Sequence, residues 1–224
     1  MDFTLSPEQL LIKDSVARFA QGTHAGGDHW KTFGELGWLA IGAPEDLGGF
    51  GGPVETLLLM EQFGRGLVVA PYVSQVVFAG AILRAAERLD RVEQLAEGTH
   101  RFTVAYEEPG ARYDPSVVAT TASADGKISG KKARVLDPST ANSFIVSART
   151  GDEIGLYLVP ADAAGVTIAT YAAEDGHDVG DVTFADAPGE RIAGNGLALL
   201  QTGLEHATAA LCAEGLGLMS LMLE

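Results

Sequence analysis

The sequence predicts an α+β multidomain chain. It has an all-α N-terminal domain over residues 1–100, a central β-sandwich or β-barrel domain over 101–195, and a return to helix over 196–224. Three observations carry this. Apolar residues recur every three to four positions as far as residue 100. At about Phe102 the period drops to two, and from Gly196 it returns to three and four.

The first helix is announced by "SPEQ", with Ser6 as N-cap, Pro7 in the first helical position and Gln9 closing a capping box. Ile12, Val16, Phe19 and Ala20 form its apolar stripe, and Gly22 to Gly27 end it. A short helix from about Trp30 to Leu36 stops at Gly37. "APEDLGGFGGP" is a loop, after which Pro53 opens a helix whose Glu61 and Arg65 pair on the wet side. From Pro71 to Ala85 apolar residues occur on nearly every face, which predicts a buried helix. "DRVEQLAEG" closes the helical region at Gly98.

Seven segments then read as strands: "RFTVAYE", "SVVATTASA", "KKARVLD", "NSFIVSAR", "IGLYLVP", "VTIATY" and "DVTFAD". They are rich in β-branched and aromatic residues, and turn signals such as Ala124-Asp125-Gly126 separate them. In the last helix Leu200, Leu204, Ala207, Leu211, Leu218 and Leu221 make a stripe still running at Glu224. Such a stripe is expected to dock on another subunit or on further chain.

Composition excludes several classes. Thirty Asp and Glu against fifteen Lys and Arg give a net charge of −15, which repels nucleic acid. The densest basic run, "GKISGKKAR" with Lys127, Lys131, Lys132 and Arg134, is expected to be a solvated hairpin face. There is no apolar run of about 18 residues to span a membrane, and the N-terminus does not read as a signal peptide. Cys212 is the lone cysteine, expected as a small buried thiol in a reducing cytoplasm. His24, His29, His100, His177 and His206 lack metal-ligand spacing, so no metal is expected. "GGFGG" and "GNG" read as turns, since neither sits in a βαβ unit.

The order of blocks resembles the acyl-CoA dehydrogenase family. "MDFTLSPEQLLIKDSVARFA" is similar to its opening helix, and "FGELGWLAIGAPEDLGGFGGPVETLLLMEQFGRG" to its second block. "EQLAEGTHRFTVAYEEPGARYD" resembles the join into the β-domain, and "GKISGKKARVLD" and "FIVSART" its central hairpin. "LLQTGLEHATAALCAEGLGLM" resembles its first C-terminal helix. The resemblance is nearest to small subunits of heteromeric enzymes of the pimeloyl-CoA dehydrogenase type. It implies that residues 196–224 are the first helix of a C-terminal helical domain otherwise absent from these residues.

The resemblance implies FAD as cofactor, an acyl-CoA thioester as substrate, and assembly into a homo- or hetero-oligomer with another subunit of the family. It places the flavin contacts at Val104, Tyr106, Glu107, Arg112, Tyr113, Arg134 and Leu136. The family's flavin segment, T-E-P-x-A-G-S-D, falls on Glu107 to Asp114, so Glu107, Arg112 and Tyr113 replace a threonine, a glycine and a serine. Glu107 would bring negative charge near an electron-accepting ring. Its second segment, G-x-K-x-W-I-T, falls on Gly130 to Leu136, putting Arg134 in place of the aromatic cover. Leu136 cannot donate to the ring.

No catalytic residue is expected in this chain. The family's base, where carried on the first C-terminal helix, falls on the inert Ala207. Glu205 is rotated about 200° away, and Glu214 is expected at a subunit contact. Three readings follow: a degenerate subunit acting with a partner, a complete homomeric dehydrogenase, or a non-catalytic assembly module.

Overall fold

Helix α1 (Pro7–Gly22) begins on the expected capping box: the Gln9 N–H donates to Ser6 Oγ at 3.2 Å and the Ser6 N–H donates to Gln9 Oε1 at 3.0 Å. The computed structural model describes residues 4–22 and 28–224, so the expected stop beyond Gly22, like His24, lies outside the described residues. α2 (Trp30–Glu35) and α3 (Pro53–Gly66) follow. A π-helical segment, Tyr72–Phe78, then runs into α4 (Ala79–Ala85), and α5 (Leu89–Ala96) completes the helical part. The predicted single helix over 71–85 is thus half π-helical, a wider coil that recurs at functional sites.

Phe19, Phe33, Trp38, Phe63 and Tyr72 form one aromatic cluster, with ring centroids 5.3 to 6.2 Å apart. The buried Tyr72 hydroxyl donates to Trp38 O at 2.7 Å. The expected Glu61–Arg65 pair does not form. Glu61 instead takes Lys13 at 3.3 Å, and Arg65 takes Glu224 at 2.6 Å, because α1 and the C-terminal residues flank α3 and offer partners from outside the helix.

The strands are β1 (Phe102–Ala105), β2 (Thr121–Ala122), β3 (Lys127–Leu136), β4 (Ser143–Thr150), β5 (Glu153–Pro160), β6 (Val166–Ala172), β7 (Asp178–Pro188) and β8 (Glu190–Ala193). They join in one mixed sheet ordered β6-β7-β3-β2-β4-β5-β8, with β1 paired in parallel to β4. The sheet curls until Phe144 of β4 meets Phe184 of β7 edge to face at 6.1 Å, giving the sandwich-like core that alternation predicts. β8 is an addition the sequence reading lacks. Its four residues alternate too briefly to register as a strand.

The other face of the sheet packs on the helices: Phe102, Val104, Ile145 and Leu158 share one core with Val16, Phe63 and Leu83. α6 (Gly196–Met222) closes this core with the first half of the expected stripe, since Leu200 and Ala207 are buried and Leu204 packs against them, while the second half of the stripe stays outside. Gly203, Ala207, Ala210 and Gly217 are buried, while Leu211, Leu218 and Leu221 are exposed. The cause is close approach. A Cβ on Gly64 of α3 would stand 2.0 Å from Glu214 O, and one on Gly217 would stand 2.0 Å from Glu61 O. Small residues, not leucines, make that contact. Cys212, expected buried, lies on the exposed side as a result. Among the described residues no helix is long and apolar enough to cross a membrane.

Candidate functional site

A cavity of about 620 Å³ opens between the π-helical segment, the edge where β1 and β3 meet, and α6. Val104, Tyr106, Glu107, Tyr113, Arg134 and Leu136 line it, and Ala207 faces it from α6. Arg112 is not among the lining residues. It stands exposed on a turn at φ +50°, one residue before Tyr113 at φ +68°, so the structure does not bring it to the others. Phe78 and Thr103 also line the cavity; both were missed, since nothing in their local pattern distinguishes them from core residues.

The backbone explains this convergence. Along β1, alternation sends Phe102 and Val104 towards the helical core and Ala105 into the sheet core, and Tyr106 continues the first series. β3 carries a bulge: Lys132 pairs with Val182 and Val135 with Gly180, so three residues on β3 span two on β7. Arg134 takes φ +51° inside it, a conformation that disfavours side chains and is tolerated where surroundings hold it. The bulge turns Arg134 outward to the cavity rim and leaves Lys132 inside the sheet.

That corrects the solvated-hairpin reading of the basic run. Lys131 is on the surface, paired to Asp181 at 2.8 Å, but Lys132 is fully buried. Its Nζ donates to Glu108 Oε1 at 2.7 Å, Ser147 Oγ at 3.0 Å and Tyr106 O at 3.3 Å. Glu108 also accepts the N–H groups of Ala119 at 2.7 Å and Thr120 at 3.0 Å. This network pins the 107–120 loop to the sheet directly behind the cavity wall.

At the rim, Arg134 Nε donates to Glu107 Oε2 at 2.8 Å and Nη2 donates to the same oxygen. The Tyr106 hydroxyl donates to Glu107 Oε1 at 3.1 Å. The Arg134 guanidinium lies 5.5 Å from the Tyr113 ring centroid. Glu107 is therefore neutralised in place. Burial, with the Glu107 charge beside it, pushes the Tyr106 hydroxyl well above the usual tyrosine range. Two of the cavity's other hydroxyls are engaged within the chain: Thr103 Oγ1 donates to Leu136 O at 2.9 Å, and Thr208 Oγ1 to Leu204 O at 2.7 Å.

An adjoining cavity of about 490 Å³ shares Val73, Ser74, Leu136, Asp175 and Leu211 with the first. It holds a polar cluster spread across the sequence. The buried Asp137, at φ +49°, accepts from Ser74 Oγ at 2.5 Å and meets His177 Nδ1 at 3.2 Å. The Asp137 contact holds His177 above the ordinary imidazole value. Glu214, half-buried here, is raised by burial. Among the described residues no three His, Cys, Asp or Glu side chains are grouped to hold a metal ion.

Comparison with known proteins gives a consistent set of likenesses. Residues 6–95 match the model of the acyl-CoA dehydrogenase N-terminal domain. The chain is 31% identical over 192 residues to a benzylmalonyl-CoA dehydrogenase of Aromatoleum aromaticum, covering 75% of this chain and 51% of that one. It superposes with a TM-score of 0.83, at 29% identity, on a structure described as the Tcur3481-Tcur3483 steroid ACAD G363A variant, covering 98% of this chain and 65% of the other. It also shares the fold of a FAD complex of PigA, with a TM-score of 0.88 at 21% identity over 100% of this chain and 68% of the other. The chain spans about half the length of the curated relatives it matches.

Proposed function

The chain belongs to the acyl-CoA dehydrogenase family, carrying its N-terminal domain over residues 6–95, and on that premise we propose that it is a flavoprotein subunit for FAD-dependent α,β-dehydrogenation of acyl-CoA thioesters. The observation that carries this reading is convergence. Val104, Tyr106, Glu107, Tyr113, Arg134 and Leu136, drawn from β1, a loop and β3, line one cavity with Ala207 of α6.

The residues present fit a flavin ring. Val104, Tyr106 and Leu136 offer an apolar wall, and Arg134 and Tyr113 stand at the exposed end. The Arg134–Glu107 pair is close to neutral, so Glu107 does not present a bare carboxylate to an electron-accepting ring. FAD, when bound, supplies the hydride acceptor for the substrate's β-carbon. The chain's own part is to hold and orient.

Removal of the α-proton needs a carboxylate within reach of the cavity. Ala207 is inert, Glu205 is exposed and absent from the lining, and Glu107 is tied to Arg134; Asp175 does line the cavity, but it is exposed and its Oδ1 accepts the His177 N–H at 3.0 Å. The proposal therefore gives the base to a second dehydrogenase subunit, with this chain contributing scaffold and one wall of the pocket. The test is to purify the chain alone and co-expressed with a second, longer acyl-CoA dehydrogenase subunit from the same genome, and to record the visible flavin spectrum. A flavin band that appears only with the partner supports shared labour. Turnover and a flavin band from this chain alone would replace it with a complete homomeric enzyme, and no band in either state would leave an assembly module.

A further inference from the structure

Arg84, in the last turn of α4, is half-buried, and among the described residues no carboxylate pairs with it. Other partly covered arginines have partners: Arg88 has Asp90 and Glu190, and Arg101 has Asp28. Two glycines make room for the Arg84 guanidinium. A Cβ on Gly80 would stand 3.0 Å from Nη1, and one on Gly42, at φ +78°, would stand 3.8 Å from Cζ and Nη2. Burial without a counter-ion holds its pKa below the usual arginine range.

Arg84 lines a separate cavity of about 340 Å³, within the size range of small-ligand pockets. Ile41, Leu57, Val76 and Val77 supply apolar wall, and His206 stands exposed at its edge. The remaining polar side chains are engaged: the Tyr72 hydroxyl donates to Trp38 O, and the Thr56 hydroxyl to Gly52 O. The start of α3 offers little, because the Gly52 N–H already donates to Glu55. No acid lines the cavity, although the chain carries thirty Asp and Glu residues. A half-buried cation is costly without an acceptor, and a guanidinium matches a carboxylate through two parallel hydrogen bonds.

We propose that this cavity is a carboxylate site, in which Arg84 takes the anion through its fork, His206 meets it at the rim, and the apolar walls hold the short carbon chain behind it. The carboxylate could come from a free small dicarboxylate or from the far end of an acyl thioester. The second source rests on the acyl-CoA reading above. The cavity lies across the seam between the π-helical segment and α6 from the flavin cavity: Val76 and His206 line one side, Phe78 and Ala207 the other.

The test is a thermal melt of the purified chain, which needs no turnover. Glutarate should give a saturable rise of about 2–4 °C, and its neutral diamide should give none. Arg84→Met, with folding checked by circular dichroism, should abolish the rise. Arg84→Lys, which keeps the charge without the fork, should weaken binding about tenfold. Glutaryl-CoA compared with butyryl-CoA separates the sources. An Arg84-dependent gain for the first alone assigns the thioester, and an effect of glutarate alone assigns the free acid. If neither thioester binds while glutarate does, the acyl-CoA reading suffers and the carboxylate site stands. If no carboxylate gives a saturable rise, or Arg84→Met and Arg84→Lys both respond like the unaltered chain, the site does not exist.

Discussion

Lys132 Nζ lies 2.7 Å from Glu108 Oε1, and both groups are inside the protein. Burial pulls the Lys132 ammonium down to about 8, against the hydrogen bond and charge of Glu108. Such a pair adds little net stability, yet removing one partner strands the other. Lys132→Met should therefore cost about 3–5 kcal/mol in urea denaturation. Glu108→Leu should cost at least as much, because the N–H groups of Ala119 and Thr120 lose their acceptor as well. The double variant should cost clearly less than the sum of the singles.

His177 gives a pH-dependent prediction. Asp137 raises its pKa through the hydrogen bond, and the charges of Asp175 and Glu214 act in the same direction. The folded chain thus holds this proton more tightly than the unfolded one. The resulting stability is complete below the unfolded value of about 6.5 and is lost as pH rises through the folded value. NMR titration should show the imidazole titrating above 6.5, and Asp137→Asn should bring it down. His177→Gln should flatten the fall in melting temperature above pH 6.5; an unchanged slope would place the coupling elsewhere.

How much of this was legible in the sequence depends on how local each cause is. The Ser6–Gln9 capping box spans four residues and was readable from residue types alone. Block order singled out seven residues as flavin contacts; all but Arg112 lie together around one cavity, and whether they touch a flavin is what the spectral test decides. Strict alternation failed at β3, since one extra residue in the bulge changes which side chains face inward, and nothing but pairing with β7 reveals it. The stripe of α6 was legible in its first half, where Leu200, Leu204 and Ala207 meet the core, but the Gly217 contact in its second half was not, because leucines outweigh glycines in any apolar count whereas close packing on α3 selects the glycine. The Asp137–His177 pair and the unpaired Arg84 were invisible, each depending on elements far apart in the chain.

The rim pair predicts a redox effect once flavin is bound. Arg134 offsets Glu107 beside the proposed ring position. Arg134→Ala should expose the carboxylate's charge and lower the flavin midpoint potential, and Glu107→Gln should raise it. The shifts should be on the order of tens of millivolts, because the pair is partly solvated. The double variant should return close to the starting value. Spectroelectrochemical titration of the flavin-loaded complex reads all three, and equal potentials throughout would move the ring away from this rim.

The contact between α3 and α6 sets two known effects against each other. Replacing a helix-interior glycine by alanine ordinarily helps a helix by about 0.8–1.0 kcal/mol. At Gly217, however, a Cβ would stand 2.0 Å from the backbone oxygen of Glu61 and 2.9 Å from the Arg65 nitrogen. Those are backbone atoms of a packed helix and cannot swing aside, so α6 must lift from α3. Overpacking of this kind costs about 1–3 kcal/mol, which exceeds the propensity gain over most of that range. Gly217→Ala should therefore lower the melting temperature, whereas Gly215→Ala, two residues away on the same helix with nothing within 4 Å of its Cβ, should raise it. Opposite signs from the same substitution on one helix isolate packing from propensity; a rise at both positions would mean that α6 does not press on α3 at Gly217.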